Sequence, residues 1–152
     1  MSDPRVIRRE EVDSVQRGPG VSVASSVTKE VGATEISSGI TTFQAGTSNT
    51  THYHNAEESV IVIEGGGILM INGEENHVRQ YDAAFITPGT HHRLINTGEI
   101  PFKIAWSYAT VDVTRTLVEG GSTTIAYAKP VILSDIGEER SWLKQGFALT
   151  LF

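Results

Sequence analysis

The sequence predicts an all-β sandwich or barrel. Short apolar or β-branched runs recur along the chain, turn-forming residues separate them at close intervals, and no long stretch has helical periodicity. At 152 residues the chain is long enough for one domain with a real core and too short for two ordinary ones.

Residues 1–20 mix Arg5, Arg8, Arg9 and Arg17 with Glu10, Glu11 and Asp13, and close on Gly18-Pro19-Gly20. They are expected to form an N-terminal arm that packs late or on a neighbour, with Val6, Ile7, Val12 and Val15 as anchors. The remainder, 21–152, is expected to be one domain with a C-terminal extension from about residue 130.

Residues 21–31 are rich in Val, Ser and Thr, which suits a strand that Gly32 ends. Residues 36–45 alternate Thr with apolar side chains and predict a second strand, broken by Gly46. Two apolar runs follow, 60–63 and 68–71, with Glu64-Gly65-Gly66-Gly67 as a turn between them. The glycine run lacks the following lysine and helix of a phosphate loop. Asn72-Gly73 after the second run predicts a type I′ hairpin, and His77 on its far arm is expected to be solvated.

Phe85-Ile86 leads into a Pro88-Gly89 turn. In 102–108, Phe102, Ile104, Trp106 and Tyr108 alternate with Lys103, Ala105 and Ser107, so the first set should point inward. Further strands are expected in 111–118 and 123–128. One short helical turn is expected within 134–143, and Trp142, Leu143, Phe147, Leu149, Leu151 and Phe152 form an apolar tail. A tail this apolar should cover the barrel or a second subunit, and a homodimer is expected.

Four of the five histidines fall in two short clusters, His52/His54 and His91/His92. A His-x-His pair alone is a weak signal, since a histidine is more often a surface residue than a ligand. The clustering favours a site. In an extended strand His52 and His54 project to one side, and Glu58 shares the parity of Val60 and Val62. Two neutral imidazoles and a carboxylate on one face suit a divalent transition ion.

The two stretches together resemble the paired signature motifs of the cupin superfamily. Gly46, His52, His54, Glu58 and Gly65 match the first motif in full, and Gly89, His92 and Asn96 match the second, while Tyr81 and Thr87 stand where the family has glycine and proline. The resemblance spans roughly residues 40–110. It implies a jelly-roll β-barrel (double-stranded β-helix) and carries the metal-ligand roles onto His52, His54, Glu58 and His92. The two departures are turn residues, so they bear on loop geometry more than on metal binding. Family spacing selects His92 over His91, whose side chain has the opposite strand parity.

One divalent transition ion (Fe, Mn, Zn, Ni, Co or Cu) is the expected cofactor, and a small molecule the expected partner. Two function classes follow. One is a metal-dependent enzyme acting on an oxygen-bearing small organic molecule by dioxygen insertion, decarboxylation, isomerisation or elimination. The other is a non-catalytic cupin that binds a small ligand. Phe102, Trp106 and Tyr108 could line an apolar pocket, although aromatics at strand spacing are more often plain core. Arg93 and Lys103 could hold a carboxylate, but their parity is the outward one, and Tyr53 and Glu57 should also face away from the site.

The chain has no cysteine, which leaves nitrogen and oxygen donors for a metal. A formal net charge of −6 provides no basic field for nucleic acid or an anionic membrane. The first residues lack the apolar core of a signal peptide, and no apolar run has the length of a membrane span. A cytoplasmic protein is the expectation.

Overall fold

Strand alternation dominates the computed structural model, which describes residues 2–127. The strands are β1 (Ser14–Gln16), β2 (Val21–Val27), β3 (Ser37–Phe43), β4 (His52–His54), β5 (Glu58–Glu64), β6 (Gly66–Ile71), β7 (Glu74–Arg79), β8 (Ala83–Ile86), β9 (His92–Ile95), β10 (Phe102–Tyr108), β11 (Thr114–Leu117) and β12 (Thr123–Ile125). Among the described residues they form two six-stranded sheets, ordered β1-β2-β3-β10-β5-β8 and β12-β11-β4-β9-β6-β7. Every pairing is antiparallel. Two antiparallel sheets enclosing one core are the jelly roll that the signature motifs imply.

The core lies between the sheets. Phe102, Ile104, Trp106 and Tyr108 are all buried, as their alternation predicts, and pack with Val21, Phe43, Val60, Val62, Leu69 and Leu94. Phe43 and Phe102 are fully buried with ring centroids 5.7 Å apart. Truncating either to alanine would cost about 3–5 kcal/mol. Trp106 lies across β3 from Gly39, where any Cβ would strike the indole ring. The indole N–H donates to Thr41 Oγ1 at 3.0 Å, so the buried donor is satisfied.

Several local predictions need adjustment. The strand expected over 21–31 stops at Val27, and a 3-10 turn, Lys29–Val31, follows before left-handed Gly32. The expected glycine turn contracts to Gly65, whose φ is 67°, because Gly66 and Gly67 already belong to β6. A Cβ at Gly67 would meet the Ile95 carbonyl, which explains the small residue inside a strand. The Asn72-Gly73 turn has positive φ at both residues, 49° and 83°, as a type I′ hairpin requires.

The N-terminal stretch holds a 3-10 turn, Arg9–Glu11, and then β1, which pairs with β2. Val12 is buried, whereas Val6 is exposed. The helical turn expected within 134–143 and the apolar tail lie outside the described residues.

Candidate metal centre

The short strand β4 holds His52 and His54 on its inner face, with Tyr53 between them turned outward. β9 lies beside it in the sheet, and its register sets His92 directly opposite His52. Glu58 arrives from the facing sheet, at the start of β5 and opposite Tyr108. One site is thus assembled from both layers. All four side chains are buried.

One ligand atom from each of His52, His54 and His92 lies within 4.8 Å of the others. Their opposite ring nitrogens are already committed. His52 Nδ1 meets the Thr50 carbonyl at 2.6 Å, His54 Nδ1 the Thr114 carbonyl at 2.8 Å, and His92 Nδ1 the Thr90 carbonyl at 2.8 Å. A carbonyl only accepts, so each Nδ1 carries the hydrogen and each Nε2 is left as a lone-pair donor. Backbone carbonyls on the far nitrogen are how metal-binding histidines are commonly oriented.

The Glu58 carboxylate lies beside this triad of histidines, outside the group whose atoms all fall within 4.8 Å of one another. Its Oε2 lies 3.2 Å from His92 Nε2 and 3.5 Å from His54 Nε2. Yet that oxygen is buried without a hydrogen-bond partner, because neither Nε2 holds a hydrogen in this tautomer. Lone pairs facing lone pairs in a dry site repel unless a cation lies between them. The donor set therefore fits a divalent ion of the nitrogen- and oxygen-binding kind.

Electrostatics agree with neutral imidazoles at His52 and His54. Burial pushes His52 well below the ordinary histidine value of 6.5, and His92, Arg115 and His54 push it further. Burial also lowers His54, partly offset by Glu58. The Tyr108 hydroxyl sits 3.3 Å from His54 Nε2. Burial, then the Glu58 carboxylate, push its ionisation well above the ordinary tyrosine value, so the hydroxyl stays protonated beside that nitrogen and the carboxylate.

His91 is exposed on the outer face and stacks on Tyr53, with ring centroids 5.5 Å apart. The adjacent histidines point opposite ways, as strand parity requires. Glu57 and His77 are exposed. Lys103 pairs with Glu64 at 3.0 Å, and Arg93 donates to Ser48 Oγ at 3.1 Å, away from the histidines.

A cavity of about 50 Å³ opens above the four residues. Its apolar wall includes Phe43, Leu94, Ile104 and Trp106, and two arginines also line it, Arg17 and Arg115. Sequence reasoning missed both. In sequence Arg17 reads as part of the charged arm, although its place just after a short strand brings it to the cavity. Arg115 stands opposite His54 on the neighbouring strand, so the two share a face. The pairing of β11 with β4 is the missing signal, and it is a long-range contact. Asn49 also lines the cavity, and its Oδ1 accepts the Leu94 N–H at 2.8 Å, tying the motif loop to β9.

The second motif's departures have local explanations. Tyr81 has φ 74°, the conformation that favours glycine, and its side chain is exposed. Thr87 Oγ1 contacts Thr90 Oγ1 at 2.6 Å, bracing the turn in place of a proline ring. Asn96 is buried: its amide donates to the Phe43 and Ile100 carbonyls at 3.0 and 2.9 Å, while its Oδ1 accepts from Gly98 N–H. It ties strands and contacts no ligand atom.

Residues 39–108 match the family described as cupin domain. Among curated proteins, the tetracenomycin polyketide synthase protein TcmJ of Streptomyces glaucescens is 35% identical over 77 residues, 50% of this chain and 52% of that protein. The chain thus matches about half the length of that relative. Among solved structures, the polyketide cyclase RemF from Streptomyces resistomycificus superposes with a TM-score of 0.65 at 17% identity, covering 84% of this chain and 88% of RemF. A predicted oxalate decarboxylase from Thermotoga maritima gives 0.60 at 22% identity, covering 70% and 99%. At such identities the structural likeness is one of fold. The matched stretch, residues 39–108, is a cupin domain, and the two-sheet barrel around it agrees with that.

Proposed function

We propose that the chain is a metal-dependent cupin enzyme that holds one divalent transition ion through His52, His54, His92 and Glu58 and acts on an oxygen-bearing small organic molecule. The observation that carries this reading is the buried, partnerless Glu58 Oε2, 3.2 Å from His92 Nε2 and 3.5 Å from His54 Nε2. A cation at their centre would turn a repulsive arrangement into a ligand set. Four protein donors would leave positions open on an ion that accepts six.

When bound, such an ion supplies Lewis-acid polarisation of a substrate oxygen. The chain's own residues supply the rest. The carbonyls of Thr50, Thr90 and Thr114 fix the three imidazoles. Tyr108 holds a proton beside the site, and Trp106, Ile104 and Leu94 exclude water from one wall. The polyketide cyclase RemF and the predicted oxalate decarboxylase, whose folds this chain shares, are both named for reactions of oxygen-bearing organic molecules, which agrees with this class of substrate.

The small cavity favours a second reading, a non-catalytic cupin that binds a small ligand. The chemistry of the site is the same in both, and turnover separates them. Elemental analysis of protein purified without added metal, followed by substrate screens under air and under nitrogen, tests the enzyme. Oxygen consumption would point to a dioxygenase, and oxygen-independent turnover to a decarboxylase, isomerase or lyase. Loaded protein that turns over nothing while binding ligand would favour the module.

We also propose a homodimer, from the apolar sequence at 142–152, which light scattering would check. Among the described residues no helix is long and apolar enough to cross a membrane. A cytoplasmic location stays part of the proposal and rests on the sequence alone.

A further inference from the structure

We propose that Arg17 and Arg115 form an anion clamp at the cavity, so that the small molecule taken by this protein is an organic carboxylate whose charged end lies between the two guanidiniums. This deepens the reading above and rests on its cavity.

The two arginines come from distant parts of the chain, the turn after β1 and the middle of β11, and line the same small space. Each is half-buried. Among the described residues neither makes a salt bridge, and Glu58, which faces the histidines, is the only carboxylate on the cavity wall. Elsewhere among the described residues, Lys29 pairs with Asp112 and Lys103 with Glu64.

The hydrogen bonds are equally sparse. Arg17 gives one Nη2 bond to the Ala126 carbonyl at 3.1 Å, and its Nε is buried with no partner. Arg115 reaches the Thr50 carbonyl only at 3.5 Å. A guanidinium has five N–H donors, so most of this fork is unused. Burial depresses both groups from their ordinary value, and Arg17 depresses Arg115 further, which places two like charges within reach of one another. Two desolvated cations against an apolar wall need a counter-charge, and a carboxylate matches the planar fork.

The geometry also constrains size. A space of about 50 Å³ takes a group of a few heavy atoms. Acetate and propionate are therefore suitable probes, with acetamide and propionamide as neutral isosteres. Calorimetric titration of the full-length protein should show each acid binding about 10-fold more tightly than its amide. Arg17→Gln and Arg115→Gln should each remove that preference, leaving amide affinity, metal content and the circular dichroism spectrum unchanged. Arg17→Lys keeps the charge and should retain part of the preference.

Equal affinity for acid and amide, no saturable carboxylate binding by the unaltered protein, or full preference in both glutamine variants would overturn the clamp. Metal content read on the same samples separates the two proposals. Protein without metal that still prefers carboxylates retires the metal reading and keeps the clamp, whereas loaded protein without the preference does the reverse.

Discussion

The floor and the mouth of the barrel cavity differ in how their polar groups are satisfied. On the floor each histidine has one nitrogen fastened to a backbone carbonyl, and the remaining lone pairs converge with Glu58. At the mouth, two guanidiniums from distant parts of the chain share a space with almost no acceptors. The floor gathers acceptors and the mouth gathers donors. On the readings proposed above, each side complements one half of a metal–carboxylate pair.

Replacing His92 by alanine should break the floor most severely, lowering metal affinity about 100-fold or more, since loss of an orienting partner alone costs 10–100-fold. His91→Ala, on the outer face, should leave metal affinity unchanged. Parallel metal titrations decide, and equal losses would mean that the register of β9 is wrong.

Glu58→Gln removes the charge and keeps the shape. Metal affinity should fall about 10-fold or more, while the metal-free protein should gain about 1 kcal/mol by losing a buried partnerless oxygen. Denaturant melts of chelator-treated protein would read the second effect, and a loss of stability there would show that the carboxylate is satisfied without metal.

The pH dependence sharpens the contrast further. His52 and His54 have folded values below 6.5, so the unfolded chain binds more protons just below that pH. Metal-free stability is then full above about 6.5 and falls as the solution is acidified, by at most about 1.4 kcal/mol per histidine per pH unit. Urea titrations of chelator-treated protein between pH 7.5 and 5 should show that slope. His52→Gln should reduce it.

Away from both regions, effects should be small. Tyr81→Gly relieves a left-handed tyrosine and should raise stability by about 1 kcal/mol with metal content unchanged. Thr87→Pro should stay within about 1 kcal/mol in either direction.

The sequence carried the floor better than the mouth, for a physical reason. His52, His54, Glu58, Gly46 and Gly65 lie within twenty residues, so strand parity and fixed spacing encode their shared face locally. His92 could be told from His91 by the same parity. The alternation at Phe102–Tyr108 likewise foretold the core wall. Arg17 and Arg115 gave no such signal, because their meeting depends on the pairing of β11 with β4 and on where the turn after β1 lands. Tyr81 was legible as a departure, but only its φ explains what the position demands.

X-ray absorption at the metal edge, on protein loaded with one equivalent of zinc or iron, addresses the central claim most directly. The account predicts about one ion per chain, with nitrogen and oxygen neighbours at about 2.0–2.2 Å, three of them imidazoles, and loss of one imidazole in His92→Ala but not in His91→Ala. An ion that fails to bind, or a coordination shell untouched by His92→Ala, would contradict it.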